Sequence, residues 1–315
     1  MHLPTPRGTL TTALHDALRS SRPEPTDASL ASSPEDRALA LWMLHELGYS
    51  GFADVDDGLE WHPDLLRLRR DLESELEERL VARFPGVPEG AHHDLVTAFF
   101  DYVEQHDGPS VASHVHTHAT QEQAIELLRW RSLYHLKEAD PSSFVVARLP
   151  RAARAALAEL LYDEYGAGRP ERLHSQLFVD ALRSVGLDPD AGYVDEVPTE
   201  VLEMNSSVSM FGFQRRLRGA AMGHLAAFEC TSSVPARKLA QGFRRLELPP
   251  PVIDYYTEHV VADAVHEQLA VRQLLVPLVE AEPGQLDGIF LGAFTCLDQE
   301  ARTSTVLLER WGMAA

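Results

Sequence analysis

Cysteine is scarce: Cys230 and Cys296 are the only two in 315 residues, and they do not form a Cys-x-x-Cys pair. That excludes a disulfide framework and a thiolate zinc site, and it fits a reducing cytosol. Long apolar runs are missing too. The most apolar stretch, Gly288 to Leu297, covers about half of the roughly 20 residues that a spanning helix needs. The opening Met1-His2-Leu3-Pro4 shows no basic region followed by an apolar run, so a secretory signal is not expected and the chain reads as cytoplasmic. Positive charge is short as well. Lys and Arg total 28 against 48 Asp and Glu, a formal net charge of −20, which turns the chain away from nucleic acid and from anionic membranes as partners. Alternating β-branched runs and repeats of fixed period are also lacking, which leaves little room for a sheet.

What is present is helical periodicity from end to end, so the fold class expected is all-α. Two starts carry cap chemistry. Ser33-Pro34-Glu35-Asp36 sets a hydroxyl before a proline and two acids, and Thr120-Gln121-Glu122-Gln123 has the spacing of a capping box. The spacing predicts helices near 9–20, 34–47, 62–83, 91–106, 120–138, 151–165, 171–185, 199–210, 213–230, 235–243, 250–279 and 284–312. Gly108-Pro109 opens a loop at 107–118, which is the expected boundary between an N-terminal helical module, 1–118, and a core bundle, 119–315.

The stretch His259-Val260-Val261-Ala262-Asp263-Ala264-Val265-His266 stands out. At 100° per residue, Asp263 lies about 40° from His259 and His266 about 20° on the other side. Two imidazoles and a carboxylate therefore share one stripe of a helix whose other residues are apolar. Buried polar groups need partners, and a metal ion is one such partner. Glu229 is a lone acid in the small, apolar segment Gly219 to Cys230, where a buried carboxylate must be paired, metal-bound or neutral. The break Gly166-Ala167-Gly168-Arg169-Pro170 lets the chain turn and bring His174 back to the level of Glu164; an incidental Glu and His would look the same. Glu138, before Asp140-Pro141, carries little signal alone.

Together these residues resemble the haem-oxygenase-like di-iron oxidase and oxygenase superfamily, over about 119–315. The segments that carry the resemblance are Tyr134 to Pro141, Asp163 to Pro170, His174, Gly223 to Glu229, and Glu258-His259 through His266-Glu267. Two details place it nearest the N-oxygenase branch. One is the nine-residue gap between Glu164 and His174. The other is Glu138, which stands where N-oxygenases carry an additional carboxylate ligand. The resemblance implies a haem-oxygenase-like helical bundle with an N-terminal helical extension that mediates dimerisation, and a metal site made of Glu138, Glu164, His174, Glu229, His259, Asp263 and His266. It implies two iron ions, O₂ as co-substrate, an external electron donor, and a small amine, guanidine or amino-heterocycle oxidised at nitrogen through a peroxo-diferric state. The alternative on the same metal site is desaturation, C–C cleavage or decarboxylation of a fatty acid or amino acid. Four carboxylates and three imidazoles without thiolate suit iron better than zinc, and four negative charges balance two ferrous ions.

Other features read as ordinary structure. The alternating histidines of Ser113-His114-Val115-His116-Thr117-His118 suit a solvated loop. Met204, Met210, Phe211 and Phe213 suit core packing. The run Arg215-Arg216-Leu217-Arg218 suits a solvated helix face, and His224 should point away from Glu229. His135, three residues before Glu138, suits either a supporting contact or a plain helix face.

Overall fold

The computed structural model describes residues 1–20 and 26–313, with backbone only across 261–265. Among the described residues every regular element is helical. In chain order they are α1 (Thr9–Leu18), α2 (Pro34–Glu46), α3 (Pro63–Arg83), α4 (Leu95–Glu104), α5 (Val111–Thr117), α6 (Gln121–His135), α7 (Asp140–Ser143), α8 (Arg151–Glu164), α9 (His174–Ser184), α10 (Thr199–Phe213), α11 (Arg218–Arg245), α12 (Pro250–Gln268), α13 (Val276–Ala281) and α14 (Leu286–Arg310). Both predicted caps form. The Ser33 hydroxyl accepts from the Asp36 N–H at 3.2 Å, and Thr120 and Gln123 close a reciprocal capping box.

The chain divides into two compact units: Met1–Arg83 with Asp190–Met210, and Phe84–Pro189 with Phe211–Ala315. This division differs from the expected boundary at 118, because α5 packs on α11 inside the second unit. The first unit is organised by the leucine face of α3, where Leu65, Leu68, Leu72, Leu76 and Leu80 recur at helical spacing and are all buried. Asp36 is fully buried there and joins α2 to the start of α1. It accepts from the Leu10 and Thr11 amides, the Thr11 hydroxyl, and the amide and hydroxyl of Ser32.

In the second unit α11 packs on α12 and α14. Its contact with α14 requires glycine. A Cβ on Gly223 would lie 1.9 Å from the Ile289 carbonyl oxygen, and one on Gly292 would lie 1.9 Å from that of Ala220. The two backbones touch where a side chain would separate them.

Four expectations are corrected. The segment read as a loop at 107–118 contains α5, whose Val111, Ala112 and Val115 are buried and hold a helical turn that glycine and proline punctuation concealed. The helices expected at 213–230 and 235–243 are one helix, α11, with Pro235 inside it. An interior proline costs about 3 kcal/mol, yet Ala226 and Ala227 before it and Leu239, Ala240 and Phe243 after it are all buried and keep the helix on course. The helix expected at 250–279 widens into a π-helical stretch at Leu269–Leu275 before α13. Pro277 follows and cannot donate to the carbonyl one turn back, so the widened ladder absorbs the break. Arg218 is also not part of a solvated face: it is buried and paired with Glu282, while Arg215 and Arg216 are exposed.

Candidate metal centre

Six of the seven residues singled out in the sequence meet in the second unit. Glu138 stands in the turn between α6 and α7, Glu164 ends α8, His174 opens α9, Glu229 lies mid-way along α11, and His259 and His266 lie on α12. The seventh, Asp263, lies outside the described residues, since its side chain is not described.

The six form two groups, each able to bring its ligand atoms within 4.8 Å of one another: Glu138, His174 and His259, and Glu164, Glu229 and His266. Helix geometry requires the division of α12 between them. Seven residues of helix rise about 10 Å, so His259 and His266 share a face but sit at different levels. In the first group Glu138 Oε1 faces His259 Nε2 at 3.5 Å and His174 Nδ1 at 3.7 Å. In the second, His266 Nδ1 faces Glu229 Oε2 at 3.4 Å and Glu164 Oε1 at 3.9 Å. Glu164 links the two, because its Oε2 lies 3.0 Å from His174 Nδ1 of the first group. One carboxylate thus offers an oxygen to each group.

The local sequence explains how Glu164 and His174 meet. Gly166 turns with φ 66°, and a Cβ there would lie 2.5 Å from the Arg172 carbonyl carbon. Only glycine fits this return of the chain onto itself. Beside it, the Tyr165 hydroxyl donates to Asp140 at 3.0 Å, tying the residue after Glu164 to the segment after Glu138.

Each group has a supporting layer. Glu138 Oε2 accepts from His135 Nδ1 at 2.8 Å and from the Tyr255 hydroxyl at 3.1 Å. His259 Nδ1 is 2.8 Å from the Tyr255 carbonyl, which fixes the proton there and leaves Nε2 as a lone pair facing Glu138. His266 Nε2 lies 3.2 Å from Asp163, whose side chain is 52% exposed, leaving Nδ1 toward the second group. The inward atoms, by contrast, lack partners. Glu138 Oε1, His174 Nδ1 and His266 Nδ1 are buried without a hydrogen bond. Buried polar atoms are rarely left so, and atoms that converge at 3–4 Å without hydrogen-bond alignment fit a central cation. Oxygen and imidazole donors without sulfur fit iron or manganese, and outward nitrogens held by a carbonyl or a carboxylate are the usual orientation of metal-binding histidines.

The electrostatics agree. Burial opposes ionisation of Glu138, but the His135 donor and the adjacent His259 imidazole outweigh it and hold its carboxyl well below the ordinary range. Burial also opposes charge on His266, and Glu229 with Asp163 overcomes it, raising the imidazole to about 9. His174 is raised in the same way by Glu164 against burial. Burial lowers His135 despite Glu138, consistent with a neutral ring that donates through Nδ1.

A cavity adjoins both groups. Glu138, Glu164, Glu229 and His259 form one side of it, and Tyr134, Ala139, Ser142, Leu160, Leu161, Leu225 and Phe228 form the rest. Met204, Met210, Phe211 and Phe213 are not among these lining residues. His224 is buried against Phe211, with burial pulling it down to about 4, and it joins neither group.

Sequence reasoning left His135 open and missed Tyr255, Asp163, Tyr165 and Asp140. Tyr255 had a usable signal, since it precedes His259 by one turn on the same stripe. Asp163, half-exposed beside Glu164, had none.

A family model described as iron-containing redox enzyme matches residues 125–301, more than half of the chain and the span that holds all six residues. The chain belongs to this haem-oxygenase-like family. It is therefore an oxidoreductase family member with an all-α, haem-oxygenase-like bundle. It is also 29% identical over 147 residues to a nitrosourea synthase of Streptomyces achromogenes subsp. streptozoticus, a match that covers 46% of this chain and 31% of that enzyme. The chain thus spans about a third of the length of that relative. No helix among the described residues is long and apolar enough to cross a membrane.

Proposed function

We propose that the chain is a non-haem di-iron, O₂-dependent N-oxygenase that oxidises an amine, guanidine or amino-heterocycle nitrogen to hydroxylamine, nitroso or nitro products in specialised metabolism. The observation that carries the reading is the pair of ligand groups joined by Glu164. The likeness to a nitrosourea synthase supports N-oxygenation, and so does Glu138, a carboxylate additional to the Glu164, His174, Glu229, His259 and His266 set. Glu138, His174 and His259 would hold one iron and Glu164, Glu229 and His266 the other, with Asp263 a further ligand and Glu164 shared. Iron, when bound, supplies the reduction of O₂ and oxygen transfer, which no side chain can perform.

The protein's own part is positional. His135 and Tyr255 occupy one oxygen of Glu138 and leave the other for metal. The Tyr255 carbonyl and Asp163 set which nitrogen His259 and His266 present. Asp163 keeps the Nε2 proton of His266 in place and so leaves Nδ1 to the metal. The apolar walls keep water from the reacting atoms. The first oxidation balances as amine plus O₂, two electrons and two protons to hydroxylamine plus water, so an external reductant is a required partner. Residues 1–118 would serve in a homodimer, the role expected of an N-terminal extension.

The cavity favours a second reading. Its walls beyond the ligands are Leu160, Leu161, Leu225, Phe228 and Tyr134, which suit an acyl chain, so desaturation, C–C cleavage or decarboxylation on the same centre is the competing activity. The test is the iron-loaded full chain with a reductant and ¹⁸O₂, offered amines, guanidines and medium-chain carboxylic acids in parallel. Label in an N–O bond supports N-oxygenation. Consumption of the acids with every amine untouched overturns it in favour of the second reading.

A further inference from the structure

The geometry points to Tyr255 and His135 as positioning residues that lock Glu138 into one-oxygen ligation of the first metal, an inference that rests on the di-iron reading above. A free carboxylate can bind a cation through one oxygen or both. Glu138 has lost that choice before any metal arrives. Its Oε2 is occupied by two donors from different helices, His135 Nδ1 on α6 at 2.8 Å and the Tyr255 hydroxyl on α12 at 3.1 Å, whereas Oε1 has no hydrogen bond and faces His174 and His259. The need for such a harness follows from where Glu138 stands. It lies in a turn, outside the regular ladder of α6 and α7, so its backbone does less to fix it than that of a helical ligand.

Tyr255 carries two functions at once. Its hydroxyl orients Glu138 and its carbonyl orients His259, so one residue sets two of the three ligands of the group. The ring is itself held: it is 1% exposed, with centroid distances of 4.5 Å to His259, 4.9 Å to Phe178 and 5.4 Å to His135. The second group has a different harness, the half-exposed Asp163, so losses at Tyr255 and His135 should fall on one group and spare the other.

The test uses the full-length chain with Y255F, H135F, H135N and E138Q. Y255F keeps the packed ring and removes only the donor. An asparagine amide can replace Nδ1–H, whereas phenylalanine cannot. Anaerobic titration with Co²⁺ and with Fe²⁺ counts the sites and their affinities. Infrared difference spectra between metal-loaded and metal-free protein, with E138Q identifying the Glu138 bands, report one-oxygen against two-oxygen binding through the splitting of the carboxylate stretches. Supporting partners of this kind typically contribute about 10- to 100-fold in metal affinity. We expect that loss at one of two sites in Y255F and H135F, a narrowed splitting of the Glu138 bands, and recovery in H135N. Circular dichroism of the metal-free variants identifies any that misfold, and the splitting in the folded ones decides. Two sites of unchanged affinity and unchanged splitting in Y255F and H135F would overturn the harness while leaving the di-iron reading intact. A wild-type chain that takes up no metal would overturn both.

Discussion

Two units of one chain bury carboxylates and histidines in opposite ways. In the first unit Asp36 and the pair His45–Glu73 are closed by other protein groups. Asp36 accepts five hydrogen bonds, and burial notwithstanding these hold it down at about 2. His45 and Glu73, both almost fully buried, meet at 2.8 Å. In the second unit Glu138 and His266 are satisfied on their outer atoms, and Glu138 Oε1, His174 Nδ1 and His266 Nδ1 converge without hydrogen bonds. The difference lies in what completes each cluster. The first is complete as polypeptide and contributes to stability; on the proposed reading a cation completes the second. Burial and residue type alone do not separate the two cases, whereas convergence of several ligand atoms on one point does.

The comparison can be broken most forcefully at Glu164. E164A removes the oxygens that face both groups, and the expected outcome is loss of tight binding at both sites, read by equilibrium dialysis against Fe²⁺. Loss at a single site would show that Glu164 serves one group only. Next in size is the converse variant, H45A. It takes the imidazole away from the buried Glu73, which keeps Arg69 at 3.6 Å, and breaking a buried pair from one side costs at most about 3–5 kcal/mol. Urea unfolding should show that loss while metal stoichiometry stays at the wild-type value. D36A should follow, with about 2–3 kcal/mol from the lost cap and the charged hydrogen bonds, again without effect on metal.

The pH dependence sharpens the contrast. His266 rises from 6.5 to about 9 in the folded, metal-free chain. Its contribution to stability is therefore complete below 6.5 and is lost as pH rises through about 9. Asp36 behaves oppositely: its folded value of about 2 against 3.8 means a contribution present above 3.8 and lost as pH falls toward 2. Melting temperatures of the metal-free protein should decline between pH 6.5 and 9, and the decline should vanish once metal replaces the His266 proton. An identical decline with and without metal would show that His266 is not a ligand. The smallest effect is expected for D163N, which loosens a half-exposed support: a loss in metal affinity of about tenfold, at the low end for such partners, confined to the site that holds His266.

Much of this arrangement was legible in the sequence, for identifiable reasons. Helices show through periodicity, and the caps at Ser33 and Thr120 show through residue types that accept from the first amides. Glu229 and the stripe of His259 and His266 show because polar groups in apolar segments demand partners. The remainder depends on tertiary contacts. α5 was hidden by Gly108-Pro109, and α11 continues through Pro235 because packing outweighs local preference. Nothing local reveals that His259 and His266 belong to different groups, since that follows from Glu138 and Glu164 arriving at different levels of α12. Asp163 looks like any exposed acid until His266 is seen against it.

The central claim is that two cation sites share Glu164, and the number of metal ions bound tests it most directly. Anaerobic titration of the metal-free, full-length chain with Fe²⁺, quantified after removal of loosely bound ions, is predicted to give two per chain in the wild type and none held tightly in E164A. A wild-type value of one, or of none, would contradict the account.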